Sequence, residues 1–149
     1  MKNALLVVCI LLAGCASAPP PLVKVADPTA DPAYGRGVEE LAKMYREASG
    51  LLESKKADEA GAILTKAQPM IEKVLSVPRP TRAALEVSSN LDQMYGQMLL
   101  SNHHYGWARM MFQKNLARWK NAVPQDEDTA RRLKLAVDSI AECDRNISQ

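Results

Sequence analysis

Charge of one sign is scarce in this chain: 19 lysines and arginines stand against 17 aspartates and glutamates, a formal net charge of +2 over 149 residues. So even a balance steers no polyanion, and the sequence pI of about 8.4 is no footprint of nucleic-acid binding. Long apolar runs are missing too. The most apolar stretch, Ala4 to Leu12, is about nine residues long, whereas an α-helix needs roughly twenty to cross a bilayer. No segment alternates apolar and polar residues as a half-buried strand does. There is no HExxH, CxxC or GxSxG, no phosphate-binding glycine loop, and no paired acids at a spacing that acid-base chemistry uses. An enzyme is not expected. His103-His104 is the one histidine pair, and a closed zinc site needs about four protein ligands where adjacent histidines diverge. Neither a metal nor a cofactor is expected.

What is present at the N-terminus is an address. Lys2, the apolar run and the small residues behind it form a secretory pattern, to be set aside from fold reasoning. Leu12-Ala13-Gly14-Cys15 resembles the lipobox at which bacteria lipidate a cysteine and cut before it. An ordinary secretory signal cut near Ala16-Ser17-Ala18 is the other reading. The lipobox resemblance implies a signal peptide over residues 1–14 and a diacylglyceryl thioether on Cys15, often with an acyl group on the new amine. Each buried methylene contributes about 0.8 kcal/mol, so two or three chains make a stable anchor where one holds only marginally. Ala16 is not the aspartate of inner-membrane retention signals. In a cell with two membranes the resemblance therefore implies an outer-membrane protein facing the periplasm.

Processing of this kind also settles the cysteine count. Cys9 leaves with the signal, Cys15 carries lipid, and Cys143 stays alone, so no intramolecular disulfide is expected and the apolar core must hold the fold. Losing Lys2 reduces the 19 basic residues to 18 against 17 acids. From residue 15 to 37 the chain carries Pro19-Pro20-Pro21, Pro28 and Pro32 among small and polar residues. It reads as a tether, extending about 3 Å per residue or roughly 60 Å in all. A plain leader with no length requirement is the alternative.

Residues 38–149 carry one period throughout. Val38, Leu41, Tyr45, Ala48 and Leu52 share one face of a first helix, and Ala57, Ala60, Leu64, Ala67, Ile71 and Val74 share one face of a second. The break at Ser54-Lys55-Lys56 is short enough to require an antiparallel hairpin. Pro69 should kink the second helix or split it near Gln68, and Val77-Pro78-Arg79-Pro80 should end it. A second hairpin follows, with Ala84, Val87, Leu91, Met94 and Met98 before the turn Ser101 to His104. Its second stripe is Tyr105, Ala108, Phe112 and Trp119, widened by Met111 and Leu116 and closed by Pro124. Asp126-Glu127-Asp128 caps a fifth helix whose expected stripe is Ala130, Leu133, Val137, Ile140 and Ile147. The expected fold is all-α: two antiparallel hairpins and a C-terminal capping helix.

Tyr105-Gly106-Trp107-Ala108, then Phe112-Gln113-Lys114, with Gly96 twelve residues before Ala108, resembles the tetratricopeptide repeat. In the first hairpin Ala48, Leu51, Ala60, Leu64 and Ala67 fit the same frame. Two features depart from it: Asn115 stands where alanine is favoured, and Ala60 and Ala108 are 48 residues apart instead of 34, which an insertion around Val77 to Thr81 would explain. The resemblance implies binding of a protein in a concave groove lined by the first helix of each pair. Carried over position by position, that groove comprises Tyr45, Ser49, Leu52 and Glu53 with Asn90, Gln93, Gln97 and Ser101. It lacks the cationic set with which such repeats clamp a terminal carboxylate. The expected function is that of a lipid-anchored adaptor that binds an envelope protein and assists assembly or stability of an envelope complex. The alternative is a structural component that self-associates as a homo-oligomer or acts as a spacer, with no specific groove.

Two smaller features remain. Arg109, Lys114, Arg118 and Lys120 stand beside Trp107 and Trp119 on the fourth helix, and read either as a membrane-surface or anionic-polymer contact or as the solvated face of a core helix. Cys143, near the stripe of the fifth helix, reads as a small buried hydrophobe, as a nucleophile or as the link of a disulfide dimer.

Overall fold

Asp31 and Pro32 begin the first helix. Asp31 Oδ1 accepts from the backbone N–H of Ala33 at 2.8 Å, and Pro32 occupies the first helical position, where its fixed φ suits the helix and its missing N–H costs nothing. The same pairing starts a short 3-10 turn at Pro28–Ala30, capped by Asp27. The expected tether boundary at residue 37 is thereby corrected: Pro28 and Pro32 are helix starters, and among the described residues helical structure is present from Pro28, ahead of the expected residue 38. The computed structural model describes residues 27–148. The signal peptide, Cys15 and the triple proline lie outside them.

Five helices make up the described chain: α1 (Pro32–Glu53), α2 (Ala57–Leu75), α3 (Arg82–Ser101), α4 (Tyr105–Lys120) and α5 (Glu127–Ile147). The fold is all-α, with no strand among the described residues. α1 and α2 pair as one hairpin, α3 and α4 as the next; α3 packs on both helices of the first hairpin, and α5 packs on α4. Pro69 does not split α2, which runs unbroken through it. The residue lies on the exposed side, away from the buried stripe of Leu64, Ala67 and Ile71. Thr81 both caps α3 through Ala84 and donates its own N–H to Tyr34 Oη at 3.0 Å, fixing the α2–α3 link against the start of α1.

The two hairpins repeat one another at a spacing of 48 residues, in structure as well as in pattern. Lys55 and His103 both take positive φ, 59° and 60°. In each turn the following residue, Lys56 or His104, closes a 2.8 Å backbone bond to the helix behind it, at Leu51 or Leu99. Buried residues follow the same shift: Ala48 with Gly96, Ala60 with Ala108, Leu64 with Phe112, Ala67 with Asn115, Ile71 with Trp119. An insertion confined to Val77–Thr81 does not account for the long period. α1 and α2 contain 22 and 19 residues, which together already exceed a 34-residue repeat.

α5 shows the largest difference from expectation. Its buried face is Thr129, Ala136, Ser139 and Cys143, whereas Ala130, Val137 and Ile147 of the expected stripe are exposed and Leu133 and Ile140 are half-buried. The face is rotated by about one residue. Small side chains line it because α5 lies close against α4, where Cys143 packs with Ala108, Phe112 and Leu100.

Candidate functional site

The faces of α1 and α3 that do not enter the core meet around a cavity of about 570 Å3. Because α-helical positions three and four apart share a face, Asn90, Gln93, Met94, Gln97, Met98 and Ser101 of α3 come out along one wall. Tyr45 and Leu52 of α1 stand across from them. Six of the eight groove residues expected from sequence therefore line one cavity: Tyr45, Leu52, Asn90, Gln93, Gln97 and Ser101. Ser49, half-buried, and Glu53, exposed, do not line it. Ala57, Met94, Met98 and Asn102 complete the wall. The two methionines belong to the apolar stripe of α3, and they also pack against the core. Spacing alone does not reveal this double role, since an unbranched thioether reaches from core to rim.

No charged side chain lines the groove. Two of its amides are held in place from α5. Gln93 Nε2 donates to Ser139 Oγ at 3.2 Å, and Asn90 Oδ1 accepts from Arg132 Nη1 at 3.0 Å. The groove thus offers pre-set carboxamides between an aromatic ring and flexible apolar side chains, a surface suited to a neutral polypeptide segment.

Outside the groove, α3, α4 and α5 are joined by a polar centre that the sequence did not disclose. Trp119 is fully buried, its Nε1 donates to Ser89 Oγ at 2.7 Å, and the guanidinium carbons of Arg82 and Arg132 each lie 4.8 Å from its ring centroid. Arg118 donates to Asn115 Oδ1 and to Asp92 Oδ2, and Asn115 Nδ2 donates to the Ser89 carbonyl at 3.0 Å. Asn115, through its two side-chain hydrogen bonds, is a buried member of this network. Asp128 accepts from Arg131, Arg132 and Arg82, in that order of effect, and these donors hold its carboxyl well below the usual carboxylate range.

The basic cluster of α4 is dispersed by the same contacts. Arg118 is buried against Asp92, Arg109 pairs with Asp144 at 2.6 Å, and Lys114 lies 3.8 Å from Glu72. Trp107 is 63% exposed while Trp119 is enclosed, so the two indoles share no surface. Cys143 is buried, and its thiol pKa is raised by burial, then by Glu142 and Asp144, against the opposing Arg109. His103 Nδ1 lies 2.6 Å from Tyr105 Oη. Among the described residues no three His, Cys, Asp or Glu side chains gather as a metal site, and no helix is long and apolar enough to cross a membrane. No family model, no curated protein and no solved structure matches the chain.

Proposed function

We propose that this protein is a lipid-anchored component of a bacterial cell envelope whose helical-repeat domain binds a protein partner in the α1–α3 groove and so assists assembly or stability of an envelope complex. The anchoring part rests on the lipobox resemblance at Leu12 to Cys15. The binding part rests on one observation: an uncharged groove, with amides fixed from a third helix, where six residues picked from the repeat pattern converge. Metabolic labelling with an alkyne-bearing fatty acid tests the anchor, because label should appear on the wild type and vanish in Cys15→Ser. Crosslinking in cells followed by capture of the tagged chain tests the groove. Tyr45→Ala and Gln97→Ala should each reduce recovery of the partner that wild type enriches, and recovery unchanged in both variants would sink the reading.

A self-associating structural role is favoured by a different observation. Leu133, Val137 and Ile140 fall four and three residues apart on one side of α5, Val137 50% exposed and the other two half-buried, and an apolar stripe left partly open on an outer helix invites stacking. Sedimentation of the purified chain separates the two readings: a homogeneous oligomer reduced to monomer by Val137→Lys supports self-association, and a monomer supports the adaptor.

A further inference from the structure

A second and larger cavity, about 890 Å3, opens between α2, α3 and α4 on a different face of α3 from the groove. Its chemistry is the opposite of the groove's. Half of its lining is apolar, including Leu75, Leu85, Ala117 and Val123, the last 84% exposed. The charged part has four cations, Arg79, Arg82, Lys114 and Arg118, against two acids, Glu72 and Asp92. These cations differ in what already holds them. Arg82 is engaged by Glu86, Asp126, Asp128 and Thr129, and Arg118 by Asp92 and Asn115. Arg79 makes no ion pair or side-chain hydrogen bond among the described residues and feels only the more distant charge of Asp27, and Lys114 has only Glu72, at 3.8 Å and with 72% of the Glu72 side chain exposed. Two cations are therefore open to an incoming anion.

We propose that this cavity binds a single-chain anionic amphiphile, a carboxylate on an alkyl tail, with the head group at Arg79 and Lys114 and the tail against the apolar lining. A concave site of this size, with an apolar wall beside charged groups that fix orientation, is the usual form of a small-molecule site. Charge complementarity selects the sign of the head group. The apolar wall selects for a tail, since burial of alkyl surface supplies the affinity that two partly exposed cations do not. The site is independent of the groove, and either stands if the other fails.

The test is calorimetric titration of the purified full chain, with Cys9 and Cys15 changed to serine so that it carries no lipid, with decanoate in detergent-free buffer and below micelle-forming concentrations, beside acetate and decanol. Decanoate should bind saturably at one site, with acetate and decanol each at least about tenfold weaker, because each lacks one of the two contacts. Arg79→Gln and Lys114→Gln should each weaken decanoate about tenfold. Glu72→Gln should tighten it by freeing Lys114. Ala117→Trp, at an exposed position that tolerates a large side chain, should block it. Amide NMR shifts should move at Leu75, Ala117 and Val123 and stay fixed at Gln97. The proposal is overturned by any of three results: no saturable decanoate binding, equal affinity for decanoate and decanol, or binding insensitive to all four substitutions.

Discussion

Arg118 donates from Nη2 to Asp92 Oδ2 at 2.8 Å, with 8% of the arginine side chain and none of the aspartate exposed. The pair joins α3 to α4, and Gln68 Nε2 brings α2 to the same carboxylate at 3.0 Å. A buried ion pair adds little over an apolar replacement, but losing one partner strands the other. Arg118→Met should therefore cost about 3 kcal/mol of stability. The double variant Asp92→Asn, Arg118→Met should recover a large part of that. Urea unfolding of both checks the prediction, and equal losses in single and double variants would show that the charge pair is not the source.

A methyl group added at Gly96 would stand 2.5 Å from Phe112 Cε1 and 2.8 Å from Cζ. Phe112 is fully buried, so its ring has no free space to enter. Gly96→Ala should cost about 1–3 kcal/mol through overpacking, despite alanine's better helix propensity. Thermal melts should show the loss, and Phe112→Leu in the same chain should restore part of it. At Gly50, where nothing lies within 4 Å of the added carbon, the same substitution should be neutral or stabilising.

The contrast between α3 and α5 shows how far the sequence could be read. In α1 to α4 the core positions are held by Leu41, Leu64, Leu91 and Phe112, large apolar residues whose 3.6 period points inward without ambiguity. In α5 the buried positions are Thr129, Ala136, Ser139 and Cys143, while larger apolar residues, Leu135, Val137 and Ile147, stand outside. Hydrophobic period then selects the wrong face by one residue. The polar centre was hidden for a related reason: Asp92, Ser89 and Asn115 sit at core positions where periodicity expects apolar side chains. Six residues carried over from the repeat resemblance line one cavity, because helix register sets which side chains of α1 and α3 share a face. The cationic cavity was not legible, since Arg79, Lys114 and Val123 come from three separate segments that only packing brings together.

The Asp128 carboxyl is held below its ordinary range by Arg131, Arg132 and Arg82, and that of Asp126 by the Thr129 backbone N–H. A depressed folded-state pKa contributes stability that is complete above the unfolded value, about 3.9 for aspartate, and is lost as pH falls through the folded value. The chain should therefore melt at a steady temperature near neutrality and lose stability as pH falls below about 4. Asp128→Asn should be less stable at pH 7 and show a shallower decline between about pH 4 and 2. Parallel declines would mean that Asp128 carries none of the acid sensitivity.

Cys143 offers a test of the core between α4 and α5. Its thiol is fully enclosed beside Leu100, Ala108 and Phe112, and burial with Glu142 and Asp144 nearby raises its pKa. Both effects suppress the thiolate, which is the reactive form. In the full chain with Cys9 and Cys15 changed to serine, a disulfide reagent at pH 8 should modify Cys143 far more slowly than a free thiol. Urea should bring the rate up to that of the unfolded peptide. Arg109→Ala removes the one cation that opposes the shift, together with its bond to Asp144. If α5 opens as a unit, labelling of that variant should be faster because the bond held the helix in place; if labelling needs only thiolate in the closed state, the variant should react more slowly still. The sign of the change therefore tells whether the helix or the thiol limits access to the core.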